Sequence, residues 1–207
     1  QQLLSRDYWH VFPTATLQYR FAKDWMTGIN YRTSIDRPSF GALNPFVDFV
    51  DQYTIERGNP FLIPAYNHSL EWSISYLEMA SFEVELARTY NDMNLFIEKQ
   101  GDVFNIITRN YDRVDQLNIS LNLPYENKWW TTYNAFGFNY TALQYEQGSN
   151  LLDYGRPMFY IYSYNAFRIP KVLNVEAPFQ YVSAGVEGYV AFQPFYEVGL
   201  SIERKFL

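Results

Sequence analysis

Apolar and polar residues alternate along most of this chain. Leu17, Tyr19 and Phe21 are separated by Gln18 and Arg20, and Ile29 and Tyr31 flank Asn30. Leu70, Trp72, Ile74 and Tyr76 alternate with Glu71, Ser73 and Ser75. Phe82, Val84 and Leu86 alternate with Glu83, Glu85 and Ala87, in a strand extended toward Ile97. Phe104 leads into the cleanest run, with Leu117, Ile119, Leu121 and Leu123 against Asn118, Ser120 and Asn122. Phe136, Phe138 and Tyr140 alternate with Gly137 and Asn139, and three more strands are predicted at Met158–Arg168, Leu173–Ser183 and Tyr196–Phe206. A period of two marks a strand with one apolar and one polar face. The pattern predicts an all-β chain of about nine strands and no helix.

The connections differ in kind. Turns near Lys23, Glu78, Asn127 and Lys171 are short, with another at Lys99–Asp102, whereas Arg37–Tyr66 and Glu146–Arg156 read as long loops. Short turns on one rim and long loops on the other are the layout of an antiparallel up-and-down transmembrane barrel. Several runs exceed the about 5–6 residues usual in soluble sheets. Trp25, Trp129 and Trp130 all sit beside short turns. They are either an interfacial belt or ordinary core tryptophans at strand ends. The alternation alone leaves open which face meets lipid, and a soluble sandwich with the two apolar faces inside satisfies it too.

Composition narrows the choice. Aromatic residues make up 20% of the 207, with 19 Tyr and 17 Phe, which suits pleated strands and membrane belts alike. Mean hydropathy is -0.29, and no run approaches the about 18 apolar residues of a spanning helix. A barrel escapes that test because its two faces average out. The net charge of -6 argues against nucleic acid as a partner. With no cysteine, thiolate chemistry and disulfides are excluded. Gln1-Gln2-Leu3-Leu4 lacks the pattern of a signal peptide, and the last strand has no closing partner, so the native protein is expected to continue in both directions.

Two blocks carry a resemblance. The first is Arg37-Pro38-Ser39-Phe40, then Leu43-Asn44-Pro45-Phe46, Asp51 and Tyr53. The second is Gly58-Asn59-Pro60, Leu62 and Pro64, followed by Glu71 in the strand. Together with Asp7-Tyr8-Trp9 and the Tyr196–Leu207 strand, they resemble the C-terminal barrel portion of TonB-dependent outer-membrane receptors, in the version common among Bacteroidetes-type bacteria. The resemblance implies that residues 1–207 are part of a barrel of about 22 strands, with the plug domain and final strands absent from this piece. It implies a Gram-negative outer-membrane location, surrounding outer-membrane lipid, and contact with TonB through the missing N-terminal part. The implied function is binding and import of a scarce nutrient: an iron chelate, a cobalamin-like cofactor or a glycan. Ile63 and Ala65 depart from the family, which commonly has Lys and Glu there.

No catalytic constellation is found, and the chain is read as a non-enzyme without cofactor. A Gly-x-Ser-x-Gly elbow is missing. His10 and His68 lack metal-pair spacing, and the acidic Asp48, Asp51 and Glu56 fit no calcium-loop pattern. Glu83 and Glu85 share a face and are expected in the lumen, paired with arginines such as Arg20, Arg32 or Arg88. Phe40, Phe46, Phe49 and Tyr53 are the candidate ligand contacts. They either stack on a sugar ring or siderophore, or pack the loop onto its neighbours. The rival reading of the whole chain is a soluble all-β carbohydrate-binding module.

Overall fold

The computed structural model describes residues 11–147, 150–169, 172–187 and 190–204. The Asp7-Tyr8-Trp9 opening, His10, the Pro170-Lys171 turn and the Phe206 strand end lie outside the described residues. The chain runs through β1 (Thr14–Ala22), β2 (Trp25–Asp36), a one-turn helix α1 (Phe40–Leu43), β3 (Val47–Phe49) and β4 (Thr54–Arg57). It continues through β5 (Ala65–Tyr76), β6 (Ala80–Gln100), β7 (Val103–Glu126), β8 (Trp130–Gln147), β9 (Asn150–Ile169) and β10 (Leu173–Val182). Four short strands end it: β11 (Gly185–Glu187), β12 (Val190–Phe192), β13 (Phe195–Val198) and β14 (Ser201–Glu203).

One antiparallel wall dominates, in the order β1-β2-β5-β6-β7-β8-β9-β10-β13. β13 and β14 continue one register on β10, with Phe179 opposite Val198 and Glu176 opposite Ser201. They are a single ninth stave with a flaw. Pro178 has no N–H to give the ladder, and a Cβ on the facing Gly199 would lie 2.7 Å from its ring. Among the described residues the sheet does not close on itself, since β1 has only β2 beside it and β13 only β10.

The register sorts side chains into two faces. On one, Leu70, Leu86, Leu117 and Tyr140 lie in a row across four strands. On the other, Glu71, Glu85, Asn118 and Asn139 form the matching row. The apolar faces do not meet in a sandwich: among the described residues no second sheet covers them, and Leu17, Tyr19, Leu70, Trp72, Leu86 and Phe136 stay exposed. Among the described residues Leu62 alone is a fully buried large side chain. A wall one layer thick has lipid, not a core, as the destination of its apolar face.

Two aromatic clusters edge that apolar face at the short-turn rim. Trp25 packs on Tyr76 at 4.9 Å and on Phe21 at 6.1 Å. Trp130 packs on Tyr125 at 5.4 Å, and lies parallel to Phe167 at 6.1 Å with Trp129 stacked on its other side. The tryptophans thus form a belt, not a core. On β8 the outward face runs from Trp130 up to Tyr140, apolar at both ends and interrupted by Thr132 and Asn134, which hydrogen-bond each other at 3.0 Å. Ten residues at about 3.3 Å each, tilted by about 40°, rise about 25 Å, the height of an outer-membrane apolar band.

Several sequence expectations are corrected. Glu146–Arg156 is not a long loop: β8 and β9 stay paired to Gln147 opposite Asn150. Above the band both faces meet water, so polar residues no longer interrupt a strand. β6 and β7 stay paired up to Gln100 opposite Val103, so the turn expected at Lys99–Asp102 is present and centres on Gly101-Asp102. β7 also runs through Pro124, which the sequence reads as a turn, at a place where β6 has already ended and only β8 is paired. The Arg37–Tyr66 loop holds α1, β3 and β4, and the β11–β12 hairpin was not anticipated.

Candidate functional site

The long loop is folded onto the β6–β7 hairpin by backbone chemistry. Ser39 caps α1, its Oγ accepting from the Ala42 N–H at 3.1 Å. The Gly58 N–H donates to the Asn44 carbonyl at 2.9 Å, and the Asn59 N–H to the Ala42 carbonyl at 2.6 Å. A Cβ at position 58 would sit 2.3 Å from the Asn44 oxygen, so this approach admits only glycine. The Asn59 side chain then works in two directions. Its Nδ2 donates to the Thr108 carbonyl at 3.1 Å, and its Oδ1 accepts from the Phe61 N–H at 3.0 Å. Leu62 is sealed at 0% exposure, flanked by buried Pro64 and Ala65.

Asn110 completes the clamp. It accepts from the Ile63 N–H at 3.0 Å and donates to the Ile63 carbonyl at 2.9 Å and the Asn91 carbonyl at 2.7 Å. Because the Ile63 backbone makes both bonds, the departure from the family at this side chain leaves the clamp intact. Further out, β4 lies parallel to β7, with Thr54 opposite Phe104 and Arg57 opposite Ile107. The loop therefore crosses the hairpin and returns to β5. Of the motif residues, Asn44, Asn59, Leu62 and Pro64 sit in this clamp, Pro45 and Pro60 bracket its strands, and Arg37 and Pro38 lead into α1. Glu71 lies apart, on the polar face of β5.

On the polar face Glu71 stands directly opposite Glu85, with Glu83 one step along opposite Ser73. Asn118 donates to Glu85 at 3.0 Å and accepts from Asn139 at 2.6 Å. Two of the expected arginine partners are engaged elsewhere, Arg20 with Glu78 at 3.3 Å and Arg88 with Asp115 at 2.6 Å on the apolar side of the wall. Arg32, on β2 opposite Ser69, shares the polar face without pairing with Glu83 or Glu85. Among the described residues no cation reaches Glu71, Glu83 or Glu85. Like charges face to face across a strand pair destabilise it; Arg32, one same-face step along β2 from the Asn30 that stands opposite Glu71, and the Asn118 amide on Glu85 temper the pair.

Above the carboxylates is a recess of about 430 Å³, with Asp92, Asn94, Gln116, Asn139 and Arg156 among its walls. Asn91, in the left-handed region at φ 55°, resets the alternation of β6, so that Thr89 before it and Asp92 after it share this recess. Burial raises the Asp92 carboxyl above the ordinary carboxylate range, opposed by a hydrogen bond from Asn94 and helped by the negative charge of Asp36. Higher still, Arg109 donates to Glu98 and to the Tyr145 hydroxyl at 3.1 Å. Its guanidinium lies 4.9 Å from the Phe96 ring centroid, and Tyr145 packs on both Phe96 and Tyr111. This cation–aromatic cluster was not anticipated, since its members come from three strands and from the zone where alternation fades.

The aromatic loop residues are displayed rather than packed. Phe40, Phe46 and Phe49 are 88%, 77% and 81% exposed, and Tyr53 is 55% exposed. None of them lines the recess. Asp51 accepts from the Tyr53 N–H at 2.7 Å, a local turn bond. His68 is on β5, its Nδ1 2.9 Å from the Tyr31 hydroxyl.

The comparisons agree with this architecture. No curated protein matches the sequence. Among solved structures, the chain is similar to a mutant of the ferric enterobactin receptor PfeA of Pseudomonas aeruginosa bound to enterobactin, with TM-score 0.51 and 15% identity over 91% of this chain. PfeA in complex with BCV-L6 gives the same TM-score of 0.51 and 15% identity, again over 91% of this chain. In each case the chain spans 32% of the receptor's length. Residues 1–207 match the outer membrane protein beta-barrel family throughout, and the chain belongs to that family.

Proposed function

We propose that this chain is part of the barrel domain of a TonB-dependent receptor that binds a scarce nutrient outside the cell and imports it. The carrying observation is the two-sided wall: apolar outside, polar inside, with a recess of about 430 Å³ on the polar side near the long-loop rim. A solute that passes the loops meets amides, carboxylates, Arg156 and the Arg109 cluster, all suited to a polar ligand. Phe40, Phe46, Phe49 and Tyr53 are the proposed first contacts, stacking on a ring or chelate before it descends. A siderophore, like the enterobactin bound by the similar receptor, is one candidate cargo, with a cobalamin-like cofactor and a glycan beside it. The wall itself does no covalent chemistry. Energy comes through TonB, engaged by a part of the receptor outside residues 1–207, and a plug would bring a further cation to Glu71 and Glu85.

The test is growth of cells lacking the parent gene on single limiting nutrients: ferric siderophores, cobalamin and defined glycans. Loss of growth on one of them, reproduced by removing TonB, is the expected result. Undiminished growth on all of them, with uptake unchanged, would sink the proposal.

A further inference from the structure

The boundary between apolar and charged residues on the outward face is one ladder step wide. Leu70, Leu86, Leu117 and Tyr140 form the last apolar row, and His68, Arg88, Asp115 and Ala142 form the next. A groove of about 460 Å³ straddles that boundary, with leucines along its floor and His68, Arg88 and Asp115 at its head. Arg88 grips Asp115 with two bonds of 2.6 and 3.1 Å, and Arg113 approaches the same carboxylate at 3.0 Å. Two guanidiniums thus share one carboxylate, and the trio keeps a net positive charge. Arg88, in the groove, has its side chain 47% exposed; Arg113, one row above and outside the groove lining, has its side chain 34% exposed. They stand at the top of the bilayer band, far from the polar lumen where a nutrient passes.

We infer that this groove is a binding site for a phosphorylated lipid of the external leaflet, the acyl chain lying on the leucine floor and the phosphate on Arg88 and Arg113. Charge and depth both select that occupant. A guanidinium binds phosphate through paired charge-assisted hydrogen bonds, and basic clusters at headgroup depth recruit anionic lipids. A neutral lipid would leave the surplus charge unanswered, and a soluble anion would leave the leucines uncovered. The site depends on outer-membrane placement and not on which cargo is moved.

The experiment uses the full-length receptor, purified from outer membranes and stripped of lipid by detergent exchange. Native mass spectrometry follows binding of bis-phosphorylated lipid A, the same lipid dephosphorylated, and inorganic phosphate. The phosphorylated lipid is expected to bind about ten-fold tighter than the dephosphorylated one. Arg88→Gln combined with Arg113→Gln abolishes the difference. Asp115→Asn frees both guanidiniums and enlarges it, a gain that misfolding does not mimic. Arg20→Gln, at the opposite rim, leaves it unchanged. Equal affinity for the two lipids, a preference that survives the double substitution, or a preference reduced by Asp115→Asn overturns the assignment. So does inorganic phosphate that binds as tightly as the lipid, since the leucine floor would then contribute nothing.

Discussion

Asn110 makes three side-chain hydrogen bonds, two of them to one backbone unit of the long loop. Asn110→Asp keeps the acceptor for the Ile63 N–H but loses both donors. Asn110→Ala loses everything. At about 1 kcal/mol per net bond, the alanine variant should loosen the loop by about 2 kcal/mol, since the third bond goes to β6, and the aspartate variant by at least as much, because its carboxylate faces two carbonyl oxygens. Limited proteolysis of the intact receptor within residues 45–60 checks this, and equal cleavage of all three proteins would contradict it. Gly58→Ala should release the same segment, by about 2 kcal/mol, because its methyl group collides with the Asn44 carbonyl. Asp92 gives a pH signature. Its carboxyl titrates above the ordinary range because burial disfavours the anion. The charged form therefore weakens the fold at neutral pH, and the penalty fades as pH falls through the raised value. Asp92→Asn should raise the heating midpoint of the receptor at pH 8 and leave it nearly unchanged at acidic pH. A midpoint lowered at pH 8 would show that the carboxylate is stabilised instead.

At the scale of the element, the band of the wall that crosses the membrane was readable from alternation alone. Leu117 to Leu123 and Leu70 to Tyr76 needed only period two, because lipid enforces a strict face. Beyond the band that pressure stops. The β8–β9 tip, the top of β6–β7 and the β3–β4 pair are held by backbone ladders, which polar residues make as well as apolar ones. Part of the candidate site shared this fate. The Asn-Pro blocks were visible as a motif, but their partner Asn110 and the Phe96, Arg109, Tyr145 cluster join distant positions with no local spacing to reveal them. Glu71 and Glu85 were each visible as polar-face residues. Their face-to-face register needed the β5–β6 hairpin turn to be placed. Glu71→Gln should weaken plug docking in the intact receptor, seen as faster protease access to the plug, if a plug cation answers this pair. Unaltered access would mean that the carboxylates are neutralised by other means.

At the scale of the molecule, nine staves form a wall whose outer strands, among the described residues, each have one neighbour. Residues 1–207 expressed alone should not close into a barrel, because the exposed edges of β1 and the β13–β14 stave seek other strands. In detergent they are expected to give mixed oligomers without the gel shift on boiling that marks a closed barrel. A monodisperse, detergent-free monomer that unfolds cooperatively would refute this. The intact receptor should show the shift.

The crossing of the long loop over the β6–β7 hairpin has a mechanical consequence. A segment tied at Thr108, at Ile63 and along β4 cannot swing as a free lid. Loop and hairpin form one stiff body, jointed only where the chain leaves β2 at Asp36 and enters β5 at Ala65. A push on Phe49 is carried through the β3–β4 pair to the first residues of β7. Under the proposed import role, entry would tilt loop and hairpin together, with the stiffness set by the β4–β7 pairing.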